Sequence, residues 1–311
     1  MRRNAAAARD YAERHAVPRW YDDPDALIHD GEVDAVYIAT PPGAHLECAL
    51  AVAEAGKPCY VEKPMARNHV ECERMVEAFA VSGVPLFVAY YRRALPRFLK
   101  AKELIDGGRI GRVTGVRYHY ASPAHVDFDA ADPPWRRVAE HAGGGLFMDL
   151  GSHTLDILDF TLGPLGDVHG TAANVATAHD VEDSVAMHFS TPDGALGAAT
   201  WHFAAQSNED RLSLIGTVGR VDISTFGNEP VELHTSGGVE TFDLPNHQPI
   251  QQPLIQTIVD DLLGRGRCPS TGESGARTAA VMDAVLSDYY GGRDDSFWQR
   301  PATWPGRKER A

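Results

Sequence analysis

Asp149, His153 and Asp156 stand in GGGLFMDLGSHTLDILD at i, i+4 and i+7, positions that share one face of a helix. An imidazole titrates near neutrality and a neighbouring carboxylate orients its ring, so the pair suits proton exchange. The same stretch is rich in Leu, Ile and Phe, and a buried His–Asp pair serves equally well as a satisfied structural hydrogen bond. A second candidate is Lys63 in VEKPM, directly after the apolar CYVE. Lysine is seldom buried, so at that place it either faces solvent or is held for a purpose. An ammonium there would stabilise negative charge developing on a carbonyl oxygen. Spacing alone leaves open whether Lys63 meets the Asp/His face.

The elements that must position these groups have two rhythms. Over the first ninety residues helix-like and strand-like runs alternate. Asn4 caps a predicted helix AAAARDYAERHA, DPDALIHD reads as a short helix, and DAVYIAT (34–40) reads as a strand covered on both faces. HLECALAVAEAG (45–56) and HVECERMVEAFAVSG each read as a helix ending on glycine, with CYVEK (59–63) and PLFVAY (85–90) as further buried strands. Such alternation predicts a doubly wound parallel sheet, whose ligands bind beyond the carboxyl ends of the strands. Thr40, Lys63 and Tyr90 lie at those ends. From 94 onward a helix (94–107) is followed by strand-like GRVTGVRYHYAS, DSVAMHFS, ALGAATWHFAA, RLSLIGT, GRVDIST and VELHT, joined by short turns. One helix (146–162) interrupts them, and helices near 253–263 and 273–290 close the chain. The predicted architecture is α/β: a Rossmann-like domain over 1–93, then an α+β domain over 94–311 with an open, mainly antiparallel sheet.

Composition narrows the function classes. The 311 residues carry a net charge of −14, which argues against nucleic acid and anionic membrane surfaces. No run approaches the ~18 apolar residues of a membrane span. Cys48, Cys59, Cys72 and Cys268 form no CxxC pair, which suits buried thiols in a reducing cytoplasm. The fourteen histidines show no HExxH or Cys/His ligand spacing, so no metal site is expected.

Taken together, DAVYIATPPGAH, AGKPCYVEKPMA, WRRVAEHAGGGLFMDLGSHTLDIL and LIGTVGRVDI resemble the glucose–fructose oxidoreductase / inositol dehydrogenase / MocA-type (Gfo/Idh/MocA) oxidoreductases through nearly the whole chain. The resemblance implies hydride transfer between a nicotinamide cofactor and a carbinol or carbonyl carbon of a sugar, cyclitol or small polyol. It makes Lys63, Asp149 and His153 the catalytic group: His153 exchanges the hydroxyl proton, Lys63 polarises the oxygen, and Asp149 orients the imidazole. It also implies that Thr40, Pro41, Pro42 and His45 border the nicotinamide ribose and phosphates. Glu62 would lie near the nicotinamide, and the Lys63–Pro64 bond would be cis, as only an X–Pro bond readily is. Arg92, Trp135 and Arg136, with Asp149 and His153, are the substrate-cleft candidates; interdomain packing is the competing reading for the first three. Homodimers or homotetramers would form through the open sheet, whose exposed face would otherwise be an apolar liability.

The family's G-x-G-x-x-G turn is not in this sequence. Gly143–Gly145 opens a helix of the second domain, and GTVGR (216–220) reads as a hairpin turn. The sequence reads as beginning where the family's second strand ends, so one β-α unit of ~30 residues is expected to be absent, through a late start codon or true loss. The expected consequence is weak cofactor binding, since the pyrophosphate would lose its glycine-lined amides. Arg2 and Arg3, beside a helix N-terminus whose dipole they oppose, suit a 2′-phosphate and favour NADP(H) over NAD(H). Two rivals share the scaffold: an NAD-dependent glycosidase that recycles its cofactor, and a non-catalytic sugar- or nucleotide-sensing protein. Substrate choice is expected from the loop 121–141 and the far sheet face.

Overall fold

The computed structural model describes residues 1–124 and 133–308. In the first part, α1 (Ala5–Arg14) starts at Asn4, whose side chain accepts from Ala7 N, and α2 (Pro24–Ile28) is capped by Asp23. Then β1 (Val36–Ile38), α3 (His45–Glu54), β2 (Cys59–Val61), α4 (His69–Ser82) and β3 (Leu86–Val88) follow in the predicted alternation. The strands pair in parallel in the order β1-β2-β3, with Ile38 opposite Val61 and Val61 opposite Val88. Their carboxyl ends therefore line up, and Lys63 lies two residues past one of them.

The second part contains α5 (Pro96–Asp106), β4 (Val113–Pro123), a short α6 (Ala139–Ala142), a π-helical turn (Phe147–Gly151) and α7 (Ser152–Leu162). Next come β5 (Gly166–Ala173), β6 (Ser184–Ser190), β7 (Leu196–Ala205), β8 (Glu209–Gly216), β9 (Gly219–Ile223), β10 (Val231–Thr235) and β11 (Gly238–Phe242). They form one sheet in the order β11-β10-β9-β8-β4-β7-β6-β5, antiparallel except between β4 and β7. Two of its strands, β5 and β11, carry too little apolar alternation to be read from sequence. The inner face buries Tyr118, Trp201, Phe203, Leu212 and Leu214.

Two C-terminal helices tie the halves together. From α8 (Gln252–Leu262), Leu254 and Ile258 pack with Tyr60 and Phe87 on one face of the parallel sheet. Against the other face lies α9 (Gly272–Tyr290), so close that a Cβ on Gly275 would sit 2.8 Å from Val88. Two helices far along the chain thus complete the packing around the parallel sheet.

The open face of the large sheet carries a hollow of about 810 Å³, lined by Arg117, His119, His188 and Arg211 together with Ala186 and Ala198. Alternation along the strands buries Tyr118 and Ala199 and leaves Arg117 and Ala198 exposed on that face. Beside it Asp222, Glu232 and His234 cluster, but Arg211 and Arg220 donate to Asp222 at 2.6 and 2.7 Å, making an ion-pair network. Among the described residues no helix is long and apolar enough to cross a membrane.

Candidate active site

Lys63 and Asp149, 86 residues apart, are in contact. The Lys63 ammonium donates to the Asp149 carboxylate and, at 3.0 Å, to its main-chain carbonyl. Lys63 lies just past β2, which ends at Val61, and the Lys63–Pro64 bond is cis, as the resemblance implied. Asp149 is presented by the π-helical turn, whose extra residue per turn shifts the face it shares with α7. Gly151 permits this turn, since a Cβ there would overlap the Phe147 ring at 2.4 Å. Upstream, Gly143 has φ of 81°, and its missing side chain lets the chain pass against Arg67. The Gly145 amide donates to the enclosed Glu182 carboxylate at 2.9 and 3.0 Å, and Tyr290 OH donates to the same group. Burial pushes the Glu182 carboxyl upward. Glu182 had no sequence signal beyond an acidic residue beside an apolar strand.

The second oxygen of Asp149 faces Arg136, whose Nε lies 3.3 Å away. Arg136 is half exposed, and its guanidinium stacks 4.3 Å above the Trp135 ring. Arg136 and Trp135 thus stand together beside the Lys63–Asp149 contact.

His153 is buried, with the rings of Tyr91, Phe226 and Tyr90 at 5.5, 5.9 and 6.2 Å. Its Nδ1 is enclosed without a partner among the described residues, and no hydrogen bond joins it to Asp149. The expected Asp149–His153 pair is thus replaced here by Lys63–Asp149–Arg136. Asp156, expected on the same helix face, turns the other way: Arg93 grips it through Nε and Nη2 at 2.7–3.0 Å. Burial holds the His153 pKa well below the usual imidazole value, helped by Arg92 and then Lys63. Arg92 is itself buried, donates from Nε to Thr225 O at 2.9 Å, and stacks on Tyr91 and Phe226.

The remaining sequence candidates divide. Thr40 and Pro41 are exposed beyond β1, as a cofactor surface requires, whereas Pro42 is buried and starts a 3-10 turn. His45 does not face that surface. It is fully buried, with Nε2 2.7 Å from Thr40 O and Nδ1 3.1 and 3.2 Å from Met65 O and Pro64 O. Its work is to lash the Thr40 turn to the Lys63–Met65 segment, because both ring nitrogens are occupied by main chain. Glu62 accepts from Tyr37 OH, from Gln251 Nε2 at 2.8 Å and from Lys63 N at 3.1 Å. Arg2 and Arg3 are exposed beside α1, with Arg2 5.2 Å from the Tyr11 ring. Of the loop 121–141, residues 125–132 lie outside the described residues.

Comparison with known proteins settles the family. Residues 1–90 match the oxidoreductase family with an NAD-binding Rossmann fold, and residues 98–222 match the GFO/IDH/MocA C-terminal domain. Oxidoreductase P35 of Formosa agariphila is 34% identical over 286 residues, 91% of this chain and 88% of that protein. The chain belongs to the Gfo/Idh/MocA family. It is accordingly an NAD(P)-dependent oxidoreductase acting on CH–OH groups. Myo-inositol 2-dehydrogenase of Thermotoga maritima is 30% identical over 220 residues, 68% of this chain and 63% of that protein. Among solved structures, levoglucosan dehydrogenase in complex with NADH and levoglucosan superposes with a TM-score of 0.82 at 23% identity. That match covers 92% of this chain and 86% of the other, a likeness of fold.

Proposed function

We propose that this family member transfers a hydride between a nicotinamide cofactor and a sugar, cyclitol or related small polyol or carbonyl compound, with Lys63, Asp149 and His153 as the catalytic group. The observation that carries the reading is the Lys63–Asp149 contact at the carboxyl end of the parallel sheet, beside an enclosed His153. Sugar and cyclitol dehydrogenases among the relatives support the substrate class.

The residues at the strand ends fit the nicotinamide half of the cofactor. Thr40 and Pro41 offer exposed backbone past β1, and Glu62 and Lys63 flank the same crevice. When bound, the cofactor supplies or accepts the hydride at the carbinol carbon. Lys63 holds the substrate oxygen by its ammonium, and Asp149 fixes that ammonium in place with Arg136 as its second partner. Exposed Arg2 and Arg3 at the start of α1 support NADP(H), because two guanidiniums beside a helix N-terminus need a counter-anion. A homodimer or homotetramer through the open sheet belongs to the same reading, supported by the apolar groups Ala186 and Ala198 that its hollow presents beside Arg117 and His119. The four free cysteines support a reducing, cytoplasmic setting.

Fluorescence titration with NADPH and NADH, followed by turnover on a panel of polyols, tests the reading. Lys63→Ala should bind cofactor nearly as the wild type does and lose about 10²–10⁴-fold in kcat. Full activity in that variant, or no hydride transfer to any polyol in the wild type, would sink it.

A further inference from the structure

Lys63 and Asp149 meet without a shared element to hold them in register. Lys63 follows a strand of the parallel sheet, Asp149 belongs to a helical turn, and among the described residues no strand pairing joins the two sheets. The bridge comes instead from Arg293, in the segment that follows α9. Its side chain is 1% exposed. Nη2 donates to Arg67 O at 2.7 Å, Nη1 to Gly143 O at 2.8 Å, and Nε to Asp283 at 2.6 Å. Arg67 lies four residues past Lys63, and Gly143 six residues before Asp149. Nη2 also lies 3.5 Å from the sulfur of Met148, the residue preceding Asp149. The two segments touch at this point: a Cβ on Gly143 would come 2.6 Å from Arg67 O. Arg293 is itself held in place. Asn68 Nδ2 donates to Arg293 O at 2.7 Å, and the guanidinium lies 4.4 Å from the Phe297 ring. Asp283 supplies the counter-charge and also accepts from the amide of His69, the first residue of α4, at 2.7 Å.

We infer that Arg293 is a positioning residue for the reaction: by bridging Arg67 O and Gly143 O it sets the spacing at which Lys63 meets Asp149. The inference rests on the hydride-transfer reading for its effect on turnover, whereas the bridge itself does not. A planar guanidinium presents its N–H groups in a fixed fork, so two carbonyls and one carboxylate are held at set angles to one another. An ammonium carries the same charge as a point and fixes no such angle. Displacing reacting groups by about 1 Å costs about 10²-fold in rate. The Thr40 turn is fastened to the Lys63–Met65 segment by His45, independently of Arg293, so cofactor binding should be spared.

Competitive acetylation of the full chain by acetic anhydride, read lysine by lysine in a mass spectrometer, tests the bridge without cofactor or substrate. In the wild type Lys63 should react slowly, being 14% exposed and paired with Asp149. Arg293→Met should speed it about tenfold, as loosening a charge-assisted bond would, and leave Lys57, whose Nζ donates to Asp30 O at 2.6 Å, unchanged. Turnover is then compared at a temperature where each variant is fully folded, so that lost stability does not enter. Arg293→Met should lose about 10²-fold in kcat with KM for the cofactor within about threefold of wild type, and Arg293→Lys should be nearly as slow. Should Arg293→Met not fold, Arg293→Lys, which keeps the charge beside Asp283, carries both readouts. Unchanged Lys63 acetylation in the folded variant overturns the inference, and so does an unaltered kcat. A wild type that turns over no polyol would end the hydride-transfer reading alone, and the acetylation ratio would still decide the bridge.

Discussion

Arg93→Met removes the guanidinium that fastens α7, and with it His153, to the end of the parallel sheet. In the wild type Arg93 gives Asp156 a two-pronged grip, reaches Asp159 at 3.0 Å and donates to Pro269 O at 2.9 Å. The Asp156 and Asp159 side chains are 1% and 5% exposed. Asp159 keeps a second partner, Arg277, at 2.8 Å through two bonds, so the substitution strands one carboxylate. Breaking a buried pair in this way costs about 3–5 kcal/mol, and the surviving Arg277 contact places this case near the lower figure. Burial already pushes Asp156 up to about 6 with the arginine present. Without Arg93 the group is driven higher and becomes neutral at mild acidity, which relieves most of the cost. Urea unfolding followed by tryptophan fluorescence should therefore show a loss of about 3 kcal/mol at pH 8 and markedly less at pH 5.5. Arg93→Met/Asp156→Asn, which removes the charge, should recover most of the loss at pH 8. A deficit below about 1 kcal/mol at pH 8, or one that grows on acidification, would refute the assignment of Arg93 as the counter-charge for α7.

Two further outcomes follow from enclosed groups. Glu182→Gln keeps the shape but weakens a charge-assisted bond to the Gly145 amide, so stability should drop by about 1.5–3 kcal/mol and kcat should fall with it; unchanged kcat in a folded variant would separate Glu182 from the Asp149 turn. His45 and His153 are both depressed, chiefly by burial, so they stay neutral in the native state while the unfolded chain protonates near 6.5. Their contribution is complete above that value and is lost as pH falls below it. Native Asp156 takes up a proton near 6 and opposes one of them below that point. A melting temperature that stays flat between pH 7 and 5 would contradict this.

The parallel strands and their helices were legible, because buried strands make continuous apolar runs and the ligand crevice lies at their ends, whereas spacing left the meeting of Lys63 with Asp149 open. Other features left no usable trace. β5 (GDVHGTAA) has two glycines and few large apolar groups, and β11 is an exposed edge strand. The π-helical turn adds a residue that an i, i+4 count takes as regular helix, so Asp149 and His153 looked like a pair when they are not bonded. The resemblance put His45 beside the ribose and phosphates, yet its ring answers three main-chain carbonyls. Periodicity reports which side of an element is buried; it does not report which polar partner waits there.

The adjacent arginines of YYRRA make the same point with a functional consequence. They occupy one 3-10 turn, Tyr91–Ala94, where three residues complete a turn and neighbours diverge by about a third of a circle. Arg93 is thereby sent to the carboxylates of α7 and Arg92 to the aromatic box around His153. There Arg93 fastens α7, the helix that carries His153. Exchanging the two roles would require rotating the turn, which the Leu95 N–Arg92 O and Arg93 N–Tyr90 O bonds hold in register at 3.1 and 3.2 Å.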